Sequence, residues 1–394
     1  MWIGLTPENS NYWGIAAAIR YFKFNAVLIA AVSVCALLGG GMTACAQFIR
    51  GFDAYTGDGV INWTTAKNSG IQFAYVKSTD GVIDRDSKFT SNMQGATNAG
   101  VYVGPYHICR VASRYIDSTH SITYSSYDGQ PFPVGSDPWL DATAEAHDFI
   151  TAIRPYYQAG SYLPPVADIE TQIIESLGFT STSLRKTFVS NWLQLFSDSV
   201  KNALGVRPMV YTSKSSANTY YSPAIASSHK LWIAWWKGNT TSPPLQSDTP
   251  TWTTPWSFWQ YTNLESVPGV PGSEGPPAYD REDGDVFSGT LAQLQAMLVH
   301  VVPGDYNHDG VVSNADYVVW RNTKGSIVNL AADGSGNGVV DDADYTFWRS
   351  RFGQTAGSGA GGLSSTGVPE PASLVLLAGL TLTLSAVSRV RRRS

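Results

Sequence analysis

The stretch Pro165-Val166-Ala167-Asp168-Ile169-Glu170 joins a short apolar run to two acidic residues. Because side chains alternate along a β-strand, Asp168 and Glu170 are predicted to share one face while Ile169 occupies the other. Several comparable runs along the chain are almost continuously apolar, which is typical of strands covered on both faces. The predicted strands cover residues 49–55, 71–79, 101–108, 165–170, 207–212, 231–236, 257–262 and 283–287.

Helix-like segments lie between several of these strands, at residues 87–99, 142–153, 183–204 and 290–299. Strands that alternate with helices over about 250 residues predict an α/β domain of the size of a TIM-like barrel. Some connections are too short to hold a helix, so an irregular (β/α) barrel is expected. We assign this domain to residues 47–300.

The composition favours a polar, uncharged ligand such as a sugar. The chain has 13 Trp, 20 Tyr and 15 Phe, whereas charged residues make up only 14 % of it. Aromatic rings stack on the C–H faces of sugars, although most of the Trp residues are expected in the core. The formal net charge of −5 argues against a nucleic-acid partner, which requires a basic surface.

Acidic residues are predicted to gather at one rim of the barrel. Asp53 and Asp80 end the first two strands, and Asp283 begins the last strand. Two acids on one face repel each other, so one of them keeps its proton more readily. Glycoside cleavage uses such a pair, one to protonate the leaving oxygen and one to stabilise the oxocarbenium-like charge. The Asp-x-Glu triplet alone is a weak signal, and Asp53 and Asp283 could also be turn or cap residues.

Several residues at the strand ends are predicted to bind substrate: Asp80, Tyr106, Tyr211, Trp236, Trp259 and Tyr261. His107 follows Tyr106 on a strand, and such a histidine is more often a hydrogen-bonded structural residue than a general base. Cys109 is expected to be buried and inert.

The chain resembles the glycoside hydrolase family 25 lysozymes, the Chalaropsis type, over residues 49–289. Ten segments carry the resemblance in the family's order: GFDAY, INW, IQFAYVKSTDG, YVGPYH, LPPVADIE, GVRPMVYTS, LWIAWW, WQYTN, SVPGV and DGDVFSG. The resemblance implies an irregular (β/α) barrel that hydrolyses the β-1,4 bond between N-acetylmuramic acid and N-acetylglucosamine in peptidoglycan, without a cofactor for catalysis.

Position by position, the resemblance implies that Glu170 is the catalytic acid and Asp168 its carboxylate partner. Asp53 matches the acid of the first strand and Asp283 the acid of the last. Asp80 falls where many family members have Glu. The nucleophile stays open between Asp168 and the acetamido group of the substrate.

Two other functions stay open. A hydrolase of another amino-sugar polymer such as chitin would use the same carboxylates, but chitinase-like barrels carry a further Asp where this chain has Val166. A non-catalytic wall-binding or scaffold protein would hold a glycan without cutting it. The presence of all four acids argues against that function.

Residues 303–353 contain an internal repeat with the spacing of a calcium-binding loop. Glycine occupies position 6 of each loop, where the chain must turn sharply, and oxygen-bearing side chains occupy positions 1, 3, 5, 9 and 12. The predicted ligands are Asp305, Asn307, Asp309, Ser313 and Asp316 in the first loop, and Asp333, Ser335, Asn337, Asp341 and Asp344 in the second. About two calcium ions are therefore predicted.

The repeat resembles a type I dockerin, because one helix is expected after each loop instead of the two that flank an EF-hand loop. The resemblance implies a small all-α module and a cohesin-type scaffold protein as a partner.

Both ends of the chain predict export. Residues 1–46 combine basic residues, an apolar run and a small-x-small cleavage site, as in a secretory signal. Residues 354–367 form a flexible linker by composition. Residues 368–394 resemble a PEP-CTERM sorting signal, with a single membrane anchor as the alternative. Contact with a membrane is expected only through these ends, in a protein that is secreted or held at the cell surface.

Overall fold

The computed structural model describes residues 48–82, 84–111, 138–175, 177, 179, 181–271 and 282–356. The predicted secretory signal, the sorting tail and all of the predicted linker beyond residue 356 lie outside these residues. Within them, no helix has the length and hydropathy that crossing a bilayer requires.

A single β-sheet closes on itself and forms the centre of the fold. In the described residues its strands are β1 (Ile49–Ala54), β2 (Phe73–Asp80), β3 (Asp84–Arg85), β4 (Tyr102–Ile108), β5 (Val166–Asp168), β6 (Met209–Ser213), β7 (Leu231–Ala234), β8 (Phe258–Glu265) and β9 (Glu282–Phe287). All except β3 form a closed ring, because β1 pairs with both β2 and β9. The predicted α/β barrel is confirmed, and β3 is a short antiparallel addition to β2 that the sequence pattern did not indicate.

The ring is irregular in one strand. Neighbouring strands from β1 to β8 around the ring are parallel. The last strand, β9, runs antiparallel to both of its neighbours, β1 and β8. This reversal brings the beginning of β9 to the rim where the other barrel strands end.

Helices cover the outside of the barrel and follow the loops of the repeat. In the described residues they are α1 (Trp63–Asn68), α2 (Phe89–Asn98), α3 (Pro138–Ala159), α4 (Thr171–Glu175), α5 (Thr182–Leu204), α6 (Lys214–Thr219), α7 (Pro223–Ser228), α8 (Leu291–Gln295), α9 (Asn314–Thr323) and α10 (Asp342–Arg349). Helix α5 begins after Ser181, whose side chain accepts from the Leu184 amide, and ends at Gly205 in the left-handed conformation. Helix α3 is longer than predicted, and α8 is shorter.

Alternation along the strands separates two cores. Side chains that point into the barrel include Phe73, Tyr75, Trp232 and Phe258, which pack together. Those on the outer face, such as Phe52, belong to a larger apolar cluster beneath the helices. This aromatic inner core fills the barrel one layer below the rim, so the side chains at the rim pack against it.

The repeat has a small core of its own and is fixed to the barrel. Val312, Trp320 and Trp348 are central to this core. Arg154 of α3, which is only 2 % exposed, donates to the backbone oxygens of Asp333 and other residues of the repeat and barrel. The repeat therefore packs directly against the helical layer of the barrel.

Candidate active site

The structure brings the four predicted acids together. Asp53, Asp168, Glu170 and Asp283 all line one cavity of about 230 Å³ at the rim of the barrel, together with Tyr55, Lys77, Tyr106, Ile108, Tyr211 and Trp232. The antiparallel direction of β9 explains why Asp283 belongs to this group. In a barrel with only parallel strands, the first residue of the last strand would lie at the opposite end.

A second, larger cavity adjoins the first. It measures about 570 Å³ and shares Glu170 and Tyr211 with the acid cavity. Its other lining residues are Thr171, Gln172, Ser213, Lys214, Ser215, Asn218, Ala234, Trp235 and Trp236. Glu170 thus lies where the acid cavity meets a larger cleft whose wall includes Tyr211, Trp235 and Trp236, an arrangement that suits a ligand spanning both cavities.

Asp168 and Glu170 differ in burial. Asp168 ends β5 and is 7 % exposed, and its Oδ1 has no hydrogen-bond partner among the described residues. Burial raises the pKa of Asp168 well above its usual value, and the charge of Glu170 raises it further.

Glu170 follows the strand and is half-buried. Burial raises its pKa too, while the positive charge of Arg110 opposes that rise. Both carboxyl groups are therefore shifted toward the protonated form, as expected for two acids that share one face.

Asp53 and Asp283 face each other across the β1–β9 pairing. Burial raises the pKa of Asp53, and the charges of Asp283 and Asp285 add to this rise. Burial also raises the pKa of Asp283 to about 6, with a contribution from Glu170. Asp283 therefore changes its protonation state closer to neutral pH than a free aspartate does.

Asp285 is an acid of this cluster that the sequence reasoning did not assign to the site. It is fully buried on the inner face of β9 and accepts a hydrogen bond from Trp232 Nε1 at 2.8 Å. Burial and the charge of Asp283 raise its pKa. The two-residue spacing from Asp283 is the signal that indicates a common face.

Asp80 lies beside the cluster but lines neither cavity. Its carboxylate binds Arg110 through two guanidinium nitrogens and Lys77 Nζ at 2.9 Å. Burial alone would raise the pKa of Asp80, but the hydrogen bonds and charges of Arg110 and Lys77 outweigh it and lower the pKa. Asp80 therefore holds two cations near Glu170, and its predicted contact with substrate stays a prediction.

Comparison with known proteins identifies the family. The profile of Glycosyl hydrolases family 25 matches residues 52–124 and 136–270, more than half of the chain. This chain belongs to that family.

Two curated relatives are similar to this family 25 chain over its barrel. Lysozyme M1 of Streptomyces globisporus is 28 % identical over 253 residues, which are 63 % of this chain and 71 % of that protein. An N,O-diacetylmuramidase of Arthroderma benhamiae is 24 % identical over 249 residues, 63 % of this chain and 85 % of that protein. Among solved structures, a bacterial lysozyme from Streptomyces coelicolor is 25 % identical with a TM-score of 0.45, covering 64 % of this chain and 97 % of that one.

The predicted aromatic residues of the family 25 chain divide into two groups. Tyr106 lines the acid cavity, Tyr211 lines both cavities, and Trp236 lines the larger one with 56 % of its surface exposed. Trp259 and Tyr261 were expected in the cleft, but they lie outside it in the outer core. The reason is strand alternation, since β8 points Phe258 and Gln260 inward and therefore turns these two rings outward.

His107 lies on the outer face of β4, away from the two cavities. It is fully buried between Thr79 Oγ1 at 2.8 Å and Glu145 Oε2 at 2.9 Å. Burial lowers the pKa of His107 to about 4, so the ring is neutral at pH 7. Cys109 is also fully buried, and burial raises the pKa of its thiol, which makes it a poor nucleophile. Both placements agree with the structural roles expected from the sequence.

The two loops of the repeat have matching internal geometry. Asp316 Oδ1 accepts from the Tyr306 and Asn307 amides at 2.7 and 3.0 Å, and Asp344 Oδ1 accepts from the Ser335 amide at 2.8 Å. Gly310 and Gly338 have φ of 90° and 82°, the left-handed turn expected at position 6. The residues at positions 1 and 12 of both loops are at most 4 % exposed, and they are Asp305, Asp316, Asp333 and Asp344.

Proposed function

We propose that this family 25 hydrolase is a peptidoglycan muramidase that cleaves the β-1,4 bond between N-acetylmuramic acid and N-acetylglucosamine. The observation that carries the proposal is the convergence of Asp53, Asp168, Glu170 and Asp283 in one cavity beside an aromatic-walled cleft. A carboxyl pair with raised pKa values supplies the proton and the negative charge that glycoside hydrolysis requires. The family and the lysozyme and muramidase names of its relatives support this substrate class.

Glu170 is the proposed general acid because it lies where the two cavities meet and is accessible to a bound glycan. A sugar covering Glu170 removes water from it and raises its pKa further, which favours the protonated form that a general acid needs. Asp168, then ionised below the sugar, stabilises the positive charge of the transition state. The attacking group is either Asp168 or the substrate's acetamido group.

The remaining residues are proposed to position the glycan. Asp53 and Asp283 supply hydrogen-bond acceptors on the wall formed by β1 and β9. Trp236 provides an exposed indole for stacking against a sugar ring, and Tyr106 and Tyr211 border the bond to be cut.

Digestion of purified cell walls, followed by mass spectrometry of the released muropeptides, tests the proposal. Wild type should release fragments with new reducing-end N-acetylmuramic acid, and Glu170→Gln should reduce the rate by at least about 100-fold because the proton donor is lost. Glu175→Gln is the matched control, since Glu175 is exposed on α4 and lines neither cavity. Equal release by wild type and Glu170→Gln would contradict the role of Glu170, and wall binding without release would contradict hydrolysis.

We also propose that the repeat binds about two calcium ions and, through its resemblance to a type I dockerin, attaches the enzyme to a cohesin-type scaffold. The donor set fits a hard cation. Each loop offers Asp side chains at positions 1 and 12 and further oxygens at positions 3, 5 and 9. Burial raises the pKa of Asp305 and Asp344, and the charge of the other terminal carboxylate of each loop, Asp316 or Asp333, adds to the rise. A bound cation would relieve this repulsion.

Calorimetric titration of the full chain with CaCl₂ tests the calcium proposal. Wild type should bind about two ions, and the pair of substitutions Asp305→Asn and Asp333→Asn should weaken both sites because each removes a ligand charge. Absence of binding heat together with unchanged circular dichroism after chelation would contradict it.

We propose that the enzyme acts outside the cytoplasmic membrane. The signal-like residues 1–46 and the PEP-CTERM-like residues 368–394 support this location, and both lie outside the described residues.

A further inference from the structure

Gln260 occupies a position in β8 between the two cavities. It is 1 % exposed, and both ends of its amide are hydrogen-bonded to side chains from other parts of the barrel. Its Oε1 accepts from Tyr211 Oη and from Trp236 Nε1, both at 2.8 Å, and its Nε2 donates to Asp53 Oδ2 at 2.9 Å. One buried amide thus links the exposed indole of the larger cleft to a carboxyl of the acid cavity.

The chemistry of the partners fixes the orientation of the amide. An indole N–H can only donate, so the Gln260 oxygen must face Trp236. The amide nitrogen then faces Asp53, where a carboxylate accepts its hydrogen bond. If the amide were rotated by 180°, its NH₂ group would face the Trp236 N–H, which is also a donor, and its oxygen would face the Asp53 carboxylate. Both hydrogen bonds would be lost, so these partners determine the orientation.

We propose that Gln260 is a positioning residue that couples the Trp236 indole to the Asp53 carboxyl. The inference deepens the proposed muramidase function and depends on it for its kinetic consequences. Gln260 holds the Trp236 indole against the wall of the cleft, although 56 % of Trp236 is exposed. The same amide presents Asp53 to the substrate in a single orientation. A sugar that stacks on Trp236 therefore meets a carboxyl whose position is set by the same amide.

Gln260→Met tests the link because methionine has similar length and neither donates nor accepts the same hydrogen bonds. We expect kcat to fall by about 100-fold, as misplacement of a catalytic group by about 1 Å does. Trp236→Phe keeps an aromatic face but removes the Nε1 donor, and should mainly raise KM. In the double variant, Trp236→Phe should raise KM by a smaller factor than it does in the wild-type background, because Gln260→Met has already broken the link. Gln94→Met, on the exposed face of α2, is the matched control.

The pH profile gives a second measurement. The hydrogen bond from Gln260 lowers the pKa of Asp53, so its loss in Gln260→Met raises that pKa and moves the corresponding inflection to higher pH. Among the described residues, the other titratable groups near Asp53 include Asp283 and Asp285 from β9, Tyr106 from β4 and Tyr211 from β6. Lys77, Asp168 and Glu170 line the same cavity as Asp53. They are unchanged in the variant, so their contributions remain. Additive effects in the double variant, with an unmoved profile, would overturn the proposal.

One measurement is independent of catalysis. The Trp236 indole N–H should exchange slowly with solvent in wild type and rapidly in Gln260→Met, as seen by nitrogen-15 NMR of tryptophan-labelled protein. Equal exchange in both proteins, with the same thermal unfolding midpoint, would refute the link even if the enzyme cleaves walls. Slow exchange in a protein that releases no muropeptides would instead support the link and contradict the proposed function.

Discussion

At the scale of single residues, the acid cavity brings together carboxyl groups whose negative charges repel one another. Asp53, Asp168, Glu170, Asp283 and Asp285 are all shifted toward the protonated form, with burial as the largest cause in each case. An acid whose pKa is higher in the folded chain than in the unfolded chain favours folding most at low pH. That contribution is lost as the pH rises toward the folded pKa. The raised pKa values of these acids therefore lower the free energy of unfolding at neutral pH, and they also keep the carboxyl groups protonated to a higher pH.

Asp285 allows this conflict to be measured, because it lies below the rim and is fully buried beside the carboxyl groups of Asp53 and Asp283. Asp285→Asn keeps an acceptor for Trp232 Nε1 and removes the buried charge. We expect a higher thermal unfolding midpoint than wild type at pH 7, where ionisation of Asp285 opposes folding. We expect little difference at pH 4, where folded Asp285 is protonated.

Thermal unfolding followed by circular dichroism at both pH values checks the Asp285 prediction. Asp84→Asn serves as the control, since Asp84 is exposed in β3 and should show no such pH-dependent gain. A gain of the same size at pH 4 and pH 7 would mean that packing, rather than charge, causes the effect.

At the scale of secondary-structure elements, apolar runs predicted every strand of the closed ring to within a few residues. This worked because strands buried on both faces begin with a run of apolar residues, as in residues 73–76 of β2. The same criterion missed Asp84–Arg85, whose two exposed, charged side chains carry no such pattern. The direction of β9 depends on which strands become its neighbours in space, so the local pattern did not reveal it.

The placement of the site residues shows a similar limit. Alternation predicted that Asp168 and Glu170 share a face, and both line the acid cavity. In β8, however, aromatic residues occupy both faces, so the apolar pattern alone did not tell which side is inside. Trp259 was therefore assigned to the cleft, and Gln260, which hydrogen-bonds to Asp53, was overlooked.

At the scale of the whole molecule, the barrel and the repeat are joined by buried polar contacts. Arg154 Nη1 of α3 lies 3.5 Å from Oδ2 of Asp333, the first predicted ligand of the second loop. The guanidinium also donates to the backbone oxygens of Asp333, Leu330 and Ala203. His147 Nε2 lies 3.0 Å from the Gly338 oxygen in the same loop. The conformation of this loop and the packing of α3 and α5 are therefore interdependent.

We therefore expect calcium to stabilise the barrel as well as the repeat. A ligand that binds only the folded state at about 100 times its Kd adds about 2.7 kcal/mol to the free energy of unfolding. Calorimetric scans of wild type should show one transition that moves to higher temperature with CaCl₂ and returns with chelator. Arg154→Met leaves buried carbonyl oxygens without their donor, which should weaken the contact by about 1–3 kcal/mol.

The expected result for Arg154→Met is separation of the scan into two transitions, of which calcium moves only the one that belongs to the repeat. Arg85→Met is the control, because Arg85 also forms an ion pair with this helix, through Asp148, but is about half exposed. In the described residues the second loop is held instead by His147 and Arg154. Arg85→Met should keep the single transition and its full response to calcium. Titration calorimetry could show calcium binding while the barrel of wild type unfolds at the same temperature with and without calcium. That result would show that the barrel and the repeat are not coupled, and that the contact through Arg154 serves only to attach the repeat.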